Sequence, residues 1–167
     1  MIRVGEAIVA AGYRLNWLTE RMCAALMATM VVIVWFGILA RYGLEIGIVW
    51  TEELSRYVMI WGALLAVPCG VYYREHIGLS LFLQALSMRG RRMLVPFLDL
   101  CGLAFFLFLF VFGVRMAAEG ANQYATIFGM TMVVPFASVP TAAALTSFQI
   151  VAAMLRDVFA TNLAEQS

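Results

Sequence analysis

The sequence contains no lysine, a single histidine, three cysteines and little charge: Asp, Glu, Lys and Arg make up 13% of its 167 residues. An ordinary soluble domain carries roughly 25%. Each scarcity excludes something. With no lysine and a net charge of +1, there is no clustered basic footprint, and no nucleic-acid partner is expected. One histidine, His76, cannot hold a haem between two imidazoles, and metal ligands are lacking beside it in the sequence. Cys23, Cys69 and Cys101 all fall inside apolar runs, where they read as small packing residues and not as a disulfide framework. No nucleophile with a base, no glycine-rich phosphate loop and no Cys/His ligand spacing appears, so neither catalysis nor a cofactor is expected.

What the chain has in excess is apolar: 64% of residues are hydrophobic and the mean hydropathy is +0.92. Lipid is therefore the solvent for most of it. A helix crosses a hydrocarbon core of about 30 Å with roughly 20 apolar residues, because every backbone group must be hydrogen-bonded within the segment. Four runs qualify, at about residues 22–40, 50–73, 93–114 and 125–155. The first ends in "GILARYG" with no small-x-small cleavage site, so it is expected to be a retained anchor and not a signal peptide. The fold class expected is an all-α membrane protein, one integral domain over residues 1–167. A short interfacial amphipathic helix is expected at about 76–90, between the second and third spans, with His76, Arg89, Arg91 and Arg92 anchoring it to the leaflet. The first 20 residues are expected to lie on the same surface.

Orientation is read from arginine in the short loops. Arg3, Arg14, Arg21, Arg74, Arg89, Arg91, Arg92 and Arg156 share one side, against Arg41, Arg56 and Arg115 on the other. Both termini are thus expected in the cytoplasm.

Few polar residues interrupt the spans. In "WTEELSRY", Thr51 is placed to cap the second span and Glu52 and Glu53 to favour its positive dipole end, with Arg56 three and four residues on. A local cap with an ion pair accounts for this on its own. The alternative is a rim on which Arg41, Glu52, Glu53, Arg56, Arg115 and Glu119 pair across helices and with another subunit. Asp99 sits inside the third span, level with Thr29, Thr146, Ser147 and Gln149, and reads as an interhelical polar clamp through one of them; an ion pathway would need more acids. Gly62, Ala66 and Gly70 recur every four residues as a helix-packing stripe, and Ser138, Ala142 and Thr146 form another. Pro68, Pro135 and Pro140 should bend or loosen their helices. The five phenylalanines between Phe105 and Phe112 cannot share one seam, so some must face lipid or a partner.

An arginine closing the first span, "WTEELSRY" opening the second and "REHIGLSLF" following it resemble the small membrane subunit of tripartite ATP-independent periplasmic (TRAP) transporters, the DctQ-like proteins. The resemblance implies a bacterial inner-membrane secondary transporter of three parts. A periplasmic solute-binding protein captures the solute, typically a carboxylate, and a large M-type membrane subunit carries substrate and sodium sites and moves as an elevator. The small subunit acts as scaffold or stator, without enzyme activity. On that analogy Arg41, Glu52, Glu53 and Arg56 lie at the periplasmic rim where the parts meet, and residues 76–92 anchor the scaffold on the cytoplasmic leaflet. Two other readings remain at this level. A membrane anchor of a respiratory, quinone-linked complex would require more buried histidines, and a small channel would require a polar stripe.

Overall fold

The computed structural model describes residues 2–74 and 88–164, with backbone only at 2–4, 88, 89, 91, 92 and 159–164. Among these residues every long apolar run is helical: α1 (Ile2–Ile38), α2 (Trp50–Tyr72), α3 (Met88–Glu119), the short α4 (Val133–Phe136) and α5 (Ser138–Ala164). Four helices are long and apolar enough to span a membrane, covering Gly5–Gly43, Trp50–Tyr72, Met93–Asn122 and Val133–Val158. No strand occurs among the described residues beyond a single bridge, Tyr124 to Thr131.

α1 packs on α2, α3 on α5, and α2 and α1 both on α5, which makes α5 the central element. In the apolar window of the fourth span 56% of residues are buried, whereas none is buried in that of α1. Small side chains make the difference. Ser138, Ala142, Ala143, Thr146, Gln149, Ala152 and Ala153 are all buried on α5, so its neighbours approach closely. A Cβ on Gly12 of α1 would stand 3.0 Å from Ala152 Cβ, and one on Gly113 of α3 would stand 3.1 Å from the Pro140 ring. The outward side is bulky instead, with Val32, Trp35 and Phe36 on α1 and Phe105, Phe108, Phe110 and Phe112 on α3 all exposed.

The spans alternate in direction. One end of the bundle, the Glu53 face, carries residues 39–50 and 120–132; the other, the Arg74 face, carries the ends of α2 and α5 and the starts of α1 and α3.

Several expectations are corrected. The first 20 residues do not form a separate surface segment: α1 is continuous from Ile2, because Gly12, Asn16 and Thr19 face the bundle and are buried. The fourth span starts at Val133 rather than 125. Residues 123–132 form a tight hairpin instead, in which Met132 N–H donates to Gln123 O and Ala125 N–H to Met130 O. Gly129, at φ +61, supplies the left-handed turn that a side chain would resist. Residues 88–90 belong to α3; the remainder of the expected interfacial helix, His76 included, lies outside the described residues.

The prolines act differently in the two spans. Pro68 sits inside an unbroken α2, while between Pro135 and Pro140 the helix is interrupted at Ala137. Carbonyls near that break find side-chain donors: Trp61 Nε1 donates to Val134 O at 3.2 Å and Ser138 Oγ to Pro135 O at 2.6 Å. Such replacement bonds are what make proline tolerable inside lipid.

Candidate functional site

On the Glu53 face the charged residues of the second span divide their work. α2 begins at Trp50 with Val49 as its cap, and no side chain caps it. Thr51 is not the cap but is buried against Gly37, where an added Cβ would meet its Oγ1 at 2.9 Å. The missing side chain on Gly37 lets α1 and α2 close at this end and draws Thr51 inward. Glu52 points outward and accepts from Arg41 Nη2 at 2.6 Å, an exposed pair. Glu53 points inward: its Oε1 accepts from Tyr57 Oη at 2.6 Å and its Oε2 from Ile127 N–H at 2.8 Å, and the residue is buried. One carboxylate thereby ties α2 to the hairpin.

Arg56 pairs with neither acid: among the described residues no carboxylate lies within 4 Å of it. Among the described residues, Arg115 and Glu119 join no ion pair either. Arg115 lies over the Phe112 ring, 5.7 Å from its centroid. Within the chain, among the described residues, the six rim residues thus supply one exposed ion pair and one buried carboxylate held by neutral donors.

On the Arg74 face the grouping is denser. Arg74 follows α2 in a left-handed conformation, φ +56, uncommon for a residue with a side chain. Its Nη1 donates to Asp99 Oδ1 at 2.7 Å and Oδ2 at 2.8 Å, and its Nη2 to Asp157 Oδ2 at 2.6 Å. α2, α3 and α5 are thus joined through one guanidinium. Arg156 Nη2 adds a bond to Tyr72 O at 3.0 Å, satisfying a carbonyl at the end of α2.

Asp99 accordingly has a different partner from those expected. Thr29, Thr146 and Ser147 donate to their own helices' carbonyls four residues back, and Gln149 Nε2 donates to Gly12 O at 3.0 Å. Mid-helix hydroxyls commonly take this local acceptor. Asp99 is also less deep than its position in the apolar run implies. α3 runs about 16 Å from Met88 before reaching it, at 1.5 Å per residue, which brings it level with the end of α2.

Around this group lie further buried polar residues. Asn16 Nδ2 donates to Glu20 Oε1 at 3.0 Å and to Tyr73 Oη at 3.4 Å. The Tyr73 phenol, beyond the end of α2, has its pKa raised, first by its hydrogen bond with Glu20. Sequence reasoning missed Asn16, Arg74 and Asp157 as partners. The only signal was negative: a polar Asn within an otherwise amphipathic N-terminal stretch, and an arginine directly at a helix end.

The stripe on α2 is not a close seam inside the chain. Gly62 is buried beneath Leu26 and Met27 at ordinary contact distance, Ala66 is exposed, and a Cβ on Gly70 would meet open space. A four-residue repeat drifts about 40° per step on a helix of 3.6 residues per turn, so the three leave the contact line with α1. The cysteines are free, Cys23 and Cys69 half-buried and Cys101 exposed. Arg89, Arg91 and Arg92 lie in the first turns of α3, their side chains outside the description.

The model of the DctQ component of tripartite ATP-independent periplasmic transporters matches residues 10–160. The chain belongs to that family. Two named proteins are similar to parts of this DctQ chain. A Haemophilus influenzae protein named as a TRAP transporter small permease protein is 31% identical over 80 residues, 48% of this chain and 50% of that protein. The isethionate TRAP transporter permease protein DctMQ of Oleidesulfovibrio alaskensis is 31% identical over 84 residues, 45% of this chain and 13% of that protein. The chain thus spans half the length, or less, of these relatives.

Proposed function

We propose that this DctQ chain is the scaffold subunit of a TRAP transporter in the bacterial inner membrane, with both termini cytoplasmic. It holds still a large M-type subunit that carries an organic carboxylate inward with sodium, the solute being delivered by a periplasmic binding protein. The observation that carries the reading is bracing at both ends: Arg74 joins three helices on one face, and Glu53 joins α2 to the hairpin on the other. A frame for a moving partner must resist shear between its own helices, and cross-links at both ends of a bundle supply that resistance. The relative whose name, DctMQ, joins the two components supports a large partner here too. On the cytoplasmic leaflet, Arg89, Arg91 and Arg92 with His76 serve as the anchor to anionic headgroups. The exposed faces of α1 and α3, and the open part of the Ala66 and Gly70 stripe, are where the partner would pack.

Reconstitution tests this. Proteoliposomes with the chain and its large partner, given the binding protein and a sodium gradient, should accumulate a carboxylate solute, and either membrane protein alone should not. Uptake by the large subunit alone at the full rate would remove the scaffold role. Uptake by this chain alone would remove the whole reading.

A further inference from the structure

Between α2, the hairpin and the start of α5 lies a cleft of about 330 Å³, at the small end of ligand-sized cavities, which run from about 300 to 1,000 Å³. Glu53, Arg56 and Ile60 line it from α2, with Phe136 and Val139 opposite. These three α2 positions, three and four residues apart, share one helix face and go progressively deeper into the span.

The charges in the cleft are unevenly matched. Glu52 is taken by Arg41, and Glu53 already holds Tyr57 Oη and Ile127 N–H. Arg56 is exposed and, among the described residues, has no acid within 4 Å. It stands about 9 Å along α2 from Trp50. At that depth a long cationic side chain extends toward the headgroup layer, where the available counter-charges are lipid phosphates. Arg56 and Glu53 are neighbours on the helix, with Cβ atoms about 5–6 Å apart. The cleft therefore offers a cation and a carboxylate side by side above an apolar base. Its complement is a zwitterion whose phosphate and ammonium groups are two carbons apart and whose tail is hydrocarbon.

We propose that this cleft is a phospholipid site selective for a phosphoethanolamine head. The phosphodiester is held by the Arg56 guanidinium, the ammonium faces the Glu53 carboxylate, and an acyl chain lies along Ile60, Phe136 and Val139. Carboxylates have lone pairs beyond those used by two donors, so Glu53 accepts from the ammonium without releasing the hairpin. A bound lipid would wedge α2 against the hairpin from the membrane side.

Native mass spectrometry of the full chain released from nanodiscs of phosphatidylethanolamine, phosphatidylglycerol or phosphatidylcholine reads this directly. One phosphatidylethanolamine per chain should survive detergent release, with the other two lipids retained several-fold less. Arg56→Gln should cut occupancy about tenfold, the scale of one charge-assisted phosphate contact. Ile60→Trp, which fills the apolar base and leaves both charges, should also lower it, whereas Arg41→Gln should leave it unchanged. Equal retention of the three lipids, or undiminished retention in Arg56→Gln, overturns the proposal. Displacement of the lipid by free phosphoethanolamine at the lipid's own concentration would assign the site to a soluble phosphoamine and overturn it as well. None of these readouts uses transport or the large subunit, so the lipid site and the scaffold role can fail separately.

Discussion

At the Arg74 face one guanidinium, with 22% of its side chain exposed, serves a buried carboxylate on α3 and a half-exposed one on α5. At the Glu53 face the pair that looks similar in sequence, Arg41 with Glu52, has 50% and 57% of its side chains exposed, and the buried acid beside it is held by a phenol and a backbone N–H. The first arrangement binds charge to charge where water is scarce. The second keeps charge pairs in water and spends its buried carboxylate on backbone. In low dielectric an ion pair is strong but costly to break, because its survivor is left without a partner; in water the same pair contributes at most about 1 kcal/mol. Two faces of one small bundle should therefore respond very differently to neutralising a single acid.

The largest effect is expected for Asp99→Asn. Breaking a buried pair typically costs about 3–5 kcal/mol. Here Arg74 is partly exposed and keeps Asp157, which reduces the expected loss to about 2 kcal/mol. A chain of this size should then lose about 4–8 °C in thermal unfolding in detergent. Asp157→Asn removes the more exposed arm of the same fork and should cost less than half as much. Equal costs for the two would mean that burial of Asp99 is not what distinguishes this face.

How much of this was legible beforehand depends on how far apart the partners are along the chain. The four spans were readable because a backbone in lipid has no acceptable conformation other than a helix here, and long apolar runs report that directly. Glu53 and Arg56 were visible as a local cluster, yet their roles were not. Glu53 bonds to Ile127, which lies 74 residues away, and Arg74 bonds to Asp99 and Asp157, which lie 25 and 83 residues away. Nothing in one sequence links such positions. Counting Arg74 with the loop arginines hides that its charge is already matched within the bundle. The N-terminal segment departs from expectation for a related reason: its mixture of charged and apolar residues fits a surface helix, and only the contacts of Gly12 with α5 and of Asn16 with Tyr73, just beyond α2, show that it continues the bundle.

Glu53→Gln sharpens the comparison at the other face. The amide keeps the size and one acceptor oxygen: turned toward Ile127 N–H, it leaves its NH₂ to donate to Tyr57 Oη, so both contacts survive only with the Tyr57 bond reversed and without the carboxylate charge that strengthens them. The expected outcome is local. Hydrogen exchange across residues 123–132 should quicken about tenfold, the scale of exchanging a charge-assisted bond for a neutral one, while the amides of α3 and α5 near Asp99 exchange as before. If exchange quickened throughout the bundle, Glu53 would be a determinant of the whole fold and the two faces would not be independent.

The smallest effect is expected for Arg41→Gln. Its partner Glu52 is more than half exposed, so the carboxylate left behind is solvated by water and no buried charge results. The pair also holds two flexible side chains in one geometry, an entropic cost that offsets most of its Coulomb gain. The melting temperature should shift by less than about 2 °C, and raising the salt concentration should shrink even that, since exposed charges are screened over about 10 Å at 0.1 M. A larger shift that persists in high salt would show that water does not reach this pair in the membrane-bound protein. Arg41 and Glu52 would then have to be covered by lipid headgroups or by another protein, and the contrast between the faces would reduce to a difference in what covers them.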